Sequence, residues 1–126
     1  MENTNRLNSD FNNSFLELEK SVSHIIVEIV EYIPNAVLSK TIIKKSTGNI
    51  TAMSFYEGEE LTEKISPFDI YVQIIHGTAQ VNINKVEHHL SLGTGIIIPA
   101  HSVHCFQANE KFKMILTVIK SGYEEQ

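Results

Sequence analysis

Gly93-Thr94-Gly95-Ile96-Ile97-Ile98-Pro99-Ala100-His101-Ser102-Val103-His104 is the stretch on which the fold of this 126-residue chain turns. Glycines lead into three consecutive isoleucines, a run that suits a strand buried on both sides or closing a barrel. Pro99 has no N–H to offer a sheet ladder, so the strand stops there. After a short turn, His104 stands at the start of the next apolar run, Val103 to Phe106. The stretch therefore predicts strand, tight corner, strand, with a histidine at the corner.

The chain before it and after it reads in the same way. From Ala36 onward, short β-prone runs alternate with turn residues. Val37 to Ile43 ends at Ser46-Thr47-Gly48-Asn49. Ile50 to Tyr56 puts Thr51, Met53 and Phe55 on one face and Ile50, Ala52 and Ser54 on the other. The acidic turn Glu57-Gly58-Glu59-Glu60 and a loop holding Pro67 come before Ile70 to Ile75 and Gly77. Ala79 to Ile83 alternates apolar and polar residues, and Asn84-Lys85 is a two-residue hairpin candidate before Val86 to Leu90. Phe112 to Ile119 closes the series. About nine short strands with no helix between them predict an all-β, antiparallel double-sheet sandwich or barrel.

The N-terminal part differs. Met1 to Asn13 is rich in Asn, has little to bury and is expected to be mobile. Over residues 14–30, Ser14 and Glu17 fit a capping box. Phe15, Leu18, Val22, Ile25, Ile26 and Ile29 recur at helical spacing, while the β-branched Ile25-Ile26-Val27 favours an extended segment instead. Such a stripe serves either as a dimer arm or as a cover for the chain's own barrel.

Composition narrows the function. With 42% hydrophobic and 20% charged residues the chain is an ordinary globular domain. No apolar run approaches the roughly 20 residues of a membrane helix, and Met1 to Asn13 lacks the apolar core of a secretory signal. A single cysteine, Cys105, fits a reducing cytoplasm. The net charge of −5 argues against nucleic acid as a partner. Six acidic and two basic residues fall in residues 1–32, which leaves the remainder nearly neutral.

Two segments resemble the paired motifs of the cupin superfamily. Cupins carry a Gly, five residues, Pro-x-Gly, two residues and a His, then commonly an Asn. Gly93, Pro99 and His104 match that spacing, with His101 at the second Gly and Ala108 at the Asn. The first motif runs from Gly58 to Gly77. Counting back from Gly77, the family's Glu falls on Ile70 and its two His on Ser66 and Lys64; a one-residue slip puts Asp69 at the acidic position. The chain is also similar to a small single-domain subgroup, through Pro67-Phe68-Asp69 and Phe112-Lys113-Met114. The resemblance implies a jelly-roll cupin barrel over residues 31–121, followed by a short tail, 122–126.

It also implies a site at the barrel mouth, where three His and a Glu of a cupin hold Fe, Mn, Ni or Zn through their lone pairs. Here only His104 is a good ligand. Lys64 offers three donors and no lone pair, Ser66 is a weak neutral ligand and Ile70 is none. No metal is favoured, and the alternative metal set is His88, His101 and His104, with His88 on the inward face beside Leu90. His76, His89 and His24 read as surface residues, and Cys105 as a small core residue.

The favoured reading is a metal-free or metal-poor cupin that binds a small, anionic molecule at Lys64, Ser66, Ile70 and His104, with Met53, Phe55 and Phe106 lining the pocket. In it Lys64 and His104 are two hydrogen-bond donors. A buried Lys64 would further supply a general base or Schiff-base amine. The plainer alternative is a Lys64 that extends into solvent or pairs with Asp69 or Glu63. The rivals are a metal-dependent dioxygenase, isomerase or cyclase, and a dimeric interaction module without catalysis. A homodimer is expected in each case, with Gln73 turned toward a subunit interface.

Overall fold

A computed structural model describes residues 16–122. Met1 to Asn13, Ser14 of the capping box, Phe15 and residues 123–126 lie outside the described residues. Nine strands follow one another: β1 (Val37–Lys45), β2 (Gly48–Phe55), β3 (Glu60–Ile65), β4 (Asp69–Gly77), β5 (Ala79–Ile83), β6 (Val86–Leu90), β7 (Gly95–Ile98), β8 (Val103–Gln107) and β9 (Phe112–Ile119). They pair antiparallel in two sheets, ordered β1-β2-β9-β4-β7 and β3-β8-β5-β6. Among the described residues no helix is long and apolar enough to cross a membrane.

The period of two in the sequence is what builds the core. Ile70, Val72 and Ile74 of β4 turn inward and are buried, while Tyr71 between them is exposed. Ala79, Val81 and Ile83 do the same from the facing sheet. Between the sheets Phe55 and Phe112 stack with ring centroids 4.5 Å apart, and both are fully buried. Each such ring contributes several kcal/mol by area, about 3–5 kcal/mol when truncated to Ala.

Turn chemistry sets the registers. Ile83 pairs with Val86, so Asn84 and Lys85 form a two-residue hairpin loop; both are left-handed (φ 50° and 69°), as a turn matching the strand twist requires. The corner after β7 is tied from three sides. Ala100 N–H donates to Asp69 Oδ1 at 2.8 Å, Ser102 N–H to the Pro99 carbonyl at 3.2 Å and His101 N–H to the Ser66 carbonyl at 2.7 Å. His101 takes φ 68°, the left-handed conformation that explains a glycine in the corresponding cupin motif position.

Two expectations need correction. The isoleucine run is not buried on both faces: β7 is the outer strand beside β4, and Ile98 is 1% exposed while Ile97 is 63% exposed. An edge strand covered on one side alternates, whatever its composition. Nor does the apolar spacing of Leu18 to Ile29 form a helix. Ser21 is left-handed (φ 63°), and only one 3₁₀ turn, Ile26–Glu28, appears. The segment takes the extended alternative and straps the five-stranded sheet. Leu18 N–H donates to the Ile42 carbonyl at 3.0 Å, Ser54 Oγ to the Glu31 carbonyl at 2.7 Å, and Lys113 Nζ to the Val27 carbonyl at 2.6 Å. Glu17 accepts from Lys44 N–H at 2.6 Å, and that bond holds its carboxyl below the usual range.

Candidate functional site

A cavity of about 320 Å³ opens between the two sheets. Ser39 of β1, Thr51 and Met53 of β2, Ile70 of β4 and Leu116 of β9 line one side. Leu61, Lys64 and Ile65 of β3, Ser66 just beyond it, and His104 and Phe106 of β8 line the other. β3 owes its contribution to an irregularity. Its pairing with β8 shifts between Leu61 and Lys64, a bulge at Thr62-Glu63. In regular alternation residues three apart face opposite ways; the extra residue brings Leu61 and Lys64 onto the same cavity.

His104 is 5% exposed and packs edge-on against Phe106, centroids 6.0 Å apart. Its Nδ1 lies 3.3 Å from the Ser102 carbonyl. A carbonyl only accepts, so Nδ1 carries the hydrogen, and in the neutral imidazole Nε2 then keeps the lone pair. No buried side-chain nitrogen or oxygen among the described residues lacks a partner, and Nε2 has none in the protein. It is therefore open to the cavity as an acceptor. In this neutral tautomer His104 offers an acceptor where the sequence reading had a second donor beside Lys64.

Lys64 is the cross-strand partner of His104 but is exposed at the mouth. The covalent-amine and general-base readings, which need a desolvated lysine, lose their premise. Of the plainer alternative the solvent-exposed arm holds and the pairing does not: among the described residues no ion pair joins Lys64 to Glu63 or Asp69. Asp69 instead holds Ala100 N–H. Ser66 Oγ accepts from Phe68 N–H at 3.1 Å, which leaves its hydroxyl hydrogen for another partner. Ile70 and Phe106 are buried at the cavity wall and Met53 is half-buried there. Phe55 does not line the cavity: it is fully buried in the stack with Phe112.

The other histidines lie apart. His88 is half-buried on β6 beside Leu90 as expected, but β5 separates β6 from β8. His101 is exposed on the corner. Among the described residues no three His, Cys, Asp or Glu side chains come together to hold a metal, so the set His88, His101 and His104 is not assembled. His89 contacts Glu87, and His24 donates to the Glu19 carbonyl at 2.9 Å. His76 Nδ1 and the Tyr32 hydroxyl share a hydrogen bond of 2.6 Å, a partnership the sequence did not announce. Cys105 is half-buried on β8 between the inward His104 and Phe106 and so faces the other way. Ser39, Thr51, Leu61, Ile65 and Leu116 were missed from sequence. Thr51 shared a predicted face with Met53; Ser39 and Leu116 needed the pairing register.

The solved structures place this architecture. A conserved protein of unknown function from Streptococcus pyogenes is similar over 83% of this chain and 92% of its own, with 28% identity and a TM-score of 0.79. A cupin-superfamily protein from Desulfitobacterium hafniense covers 82% of this chain and 94% of its own at 22% identity, TM-score 0.74. A cupin 2 conserved barrel domain protein from Leptotrichia buccalis is 29% identical over 75% of this chain and 46% of its own, TM-score 0.73. No family model and no curated protein matches the chain.

Proposed function

Because the chain is a small cupin-superfamily domain, we propose that it binds a small organic anion in the cavity between its sheets and does so without a resident metal. One juxtaposition carries this reading: Lys64, an ammonium with no ion-pair partner among the described residues, stands across the strand pair from a buried imidazole, His104, over a cavity lined mainly by apolar side chains with three hydroxyls among them. Pockets with an apolar lining and a few convergent polar groups are the usual form of small-molecule sites, and 320 Å³ is at the small end of their range.

The donor set does not fit the metal that the cupin resemblance implies. A divalent ion wants several strong lone-pair donors, and the cavity offers one imidazole, the weak neutral hydroxyls of Ser39, Thr51 and Ser66 (the last already engaged with Phe68 N–H), an ammonium and hydrocarbon. The ammonium also repels a cation. The metal-dependent enzyme reading thus rests on His104 alone.

A thermal-shift screen tests the binding. Small carboxylates are expected to raise the melting temperature, and their uncharged amides to do so less. No shift with any acid would overturn the reading. A homodimer in the cytoplasm completes it. On the face of the five-stranded sheet turned away from the cavity, Tyr71 and its cross-strand partner Ile97 are exposed with Ile119, beside half-buried Gln73. Sedimentation of Ile97→Lys is expected to give a monomer where wild type is a dimer.

A further inference from the structure

Building on the anion-binding reading, we propose that the ligand is a 2-hydroxy acid, whose carboxylate meets Lys64 and whose hydroxyl donates to His104 Nε2. The inference turns on which atom of His104 faces the cavity. With the Nδ1 hydrogen spent on the Ser102 carbonyl, Nε2 of the neutral imidazole presents a lone pair. A second oxyanion or a carbonyl at that point sets lone pair against lone pair; an O–H satisfies it. The cavity therefore asks for two unlike groups, an anion at its mouth and a hydrogen-bond donor inside.

Their spacing follows from the strand pair. Lys64 and His104 are direct cross-strand partners, and such side chains leave the backbone about 5 Å apart. Both line one cavity, so they can be met by two ligand groups close together, as a carboxylate and a hydroxyl on adjacent carbons are. The rest of the ligand is hydrocarbon. Met53, Leu61, Ile65, Ile70, Phe106 and Leu116 surround most of the remaining space, with the hydroxyls of Ser39 and Thr51 among them. At roughly 30 Å³ for each water-sized group, 320 Å³ holds about ten non-hydrogen atoms. A branched hydroxy acid such as 2-hydroxy-4-methylpentanoate has the size and the polarity that these walls require.

Isothermal titration of the wild-type protein with four matched compounds tests the inference: 2-hydroxy-4-methylpentanoate, its 2-oxo twin, the unsubstituted 4-methylpentanoate, and the neutral amide of the hydroxy acid. The hydroxy acid is expected to bind about tenfold or more tighter than each of the other three. In His104→Phe the advantage over the oxo and unsubstituted acids is expected to vanish while the advantage over the amide persists. The wild-type series decides the matter if that variant fails to fold. Equal binding of the three acids, all tighter than the amide, overturns the hydroxy-acid inference and leaves the anion reading standing. Acids that bind no better than the amide, or do not bind, overturn both.

Discussion

Replacing Lys64 by Met removes the ammonium and keeps most of the side chain's length and apolar stem. Two unit charges about 4 Å apart attract by about 1 kcal/mol in water and about 4 kcal/mol near a protein surface of intermediate polarity. Lys64 is exposed at the mouth, which selects the lower part of that range, about 1–1.5 kcal/mol. Lys64→Met is thus expected to weaken carboxylate binding about tenfold. Salt supplies a second readout. The screening length shrinks from about 30 Å at 0.01 M to about 3 Å at 1 M. Wild-type affinity, followed by isothermal titration, is expected to fall with salt toward that of the variant, whose own affinity stays flat. Stability is expected to change by less than about 0.5 kcal/mol, since an exposed side chain with no partner among the described residues is lost. Equal affinities and equal salt dependence in the two proteins would refute the role of Lys64.

Three further outcomes probe the frame that holds the cavity. Gly77 is left-handed (φ 75°), and a Cβ there runs into the Lys111 carbonyl oxygen and comes within 3.0 Å of Phe112 Cα; Gly77→Ala is expected to cost about 2–4 kcal/mol in chemical denaturation. His101→Gly relieves a left-handed, exposed residue and is expected to raise stability by about 0.5–1 kcal/mol, a few degrees in Tm, with a lower Tm counting against the strain. Burial pushes the Tyr32 hydroxyl up to about 12, so by ultraviolet titration it is expected to ionise after the ordinary tyrosines. Its unfolded form loses the proton first, near 10, so stability is full below that and falls as the pH rises toward 12.

The strands were legible because their signals are local. Alternation gave the inward faces of β4 and β5, Asn84-Lys85 gave its hairpin, and Pro99 gave the end of β7. Six of the seven residues named for the pocket line one cavity, since Lys64, Ser66, Ile70 and His104 hold motif positions and Met53 and Phe106 share inward faces with their neighbours. Phe55 shared the face of Met53 but lies further along β2, beside Phe112, where the core closes. What stayed hidden was non-local. The bulge that turns Lys64 toward Leu61 depends on pairing with β8. The apolar spacing of the N-terminal segment is shared by a helix and by a strap, and the bonds to Ile42, Ser54 and Lys113 decide between them. Residue type alone also left open which ring nitrogen of His104 carries a hydrogen, and the Ser102 carbonyl places one on Nδ1.

Carboxylate affinity before and after chelation is the most direct test of a metal-free anion site. Protein purified without chelator is titrated with 2-hydroxy-4-methylpentanoate, dialysed against a strong chelator, and titrated again. The dissociation constant is expected to be unchanged. Binding that disappears on chelation and returns with Fe, Mn, Ni or Zn would contradict the metal-free site.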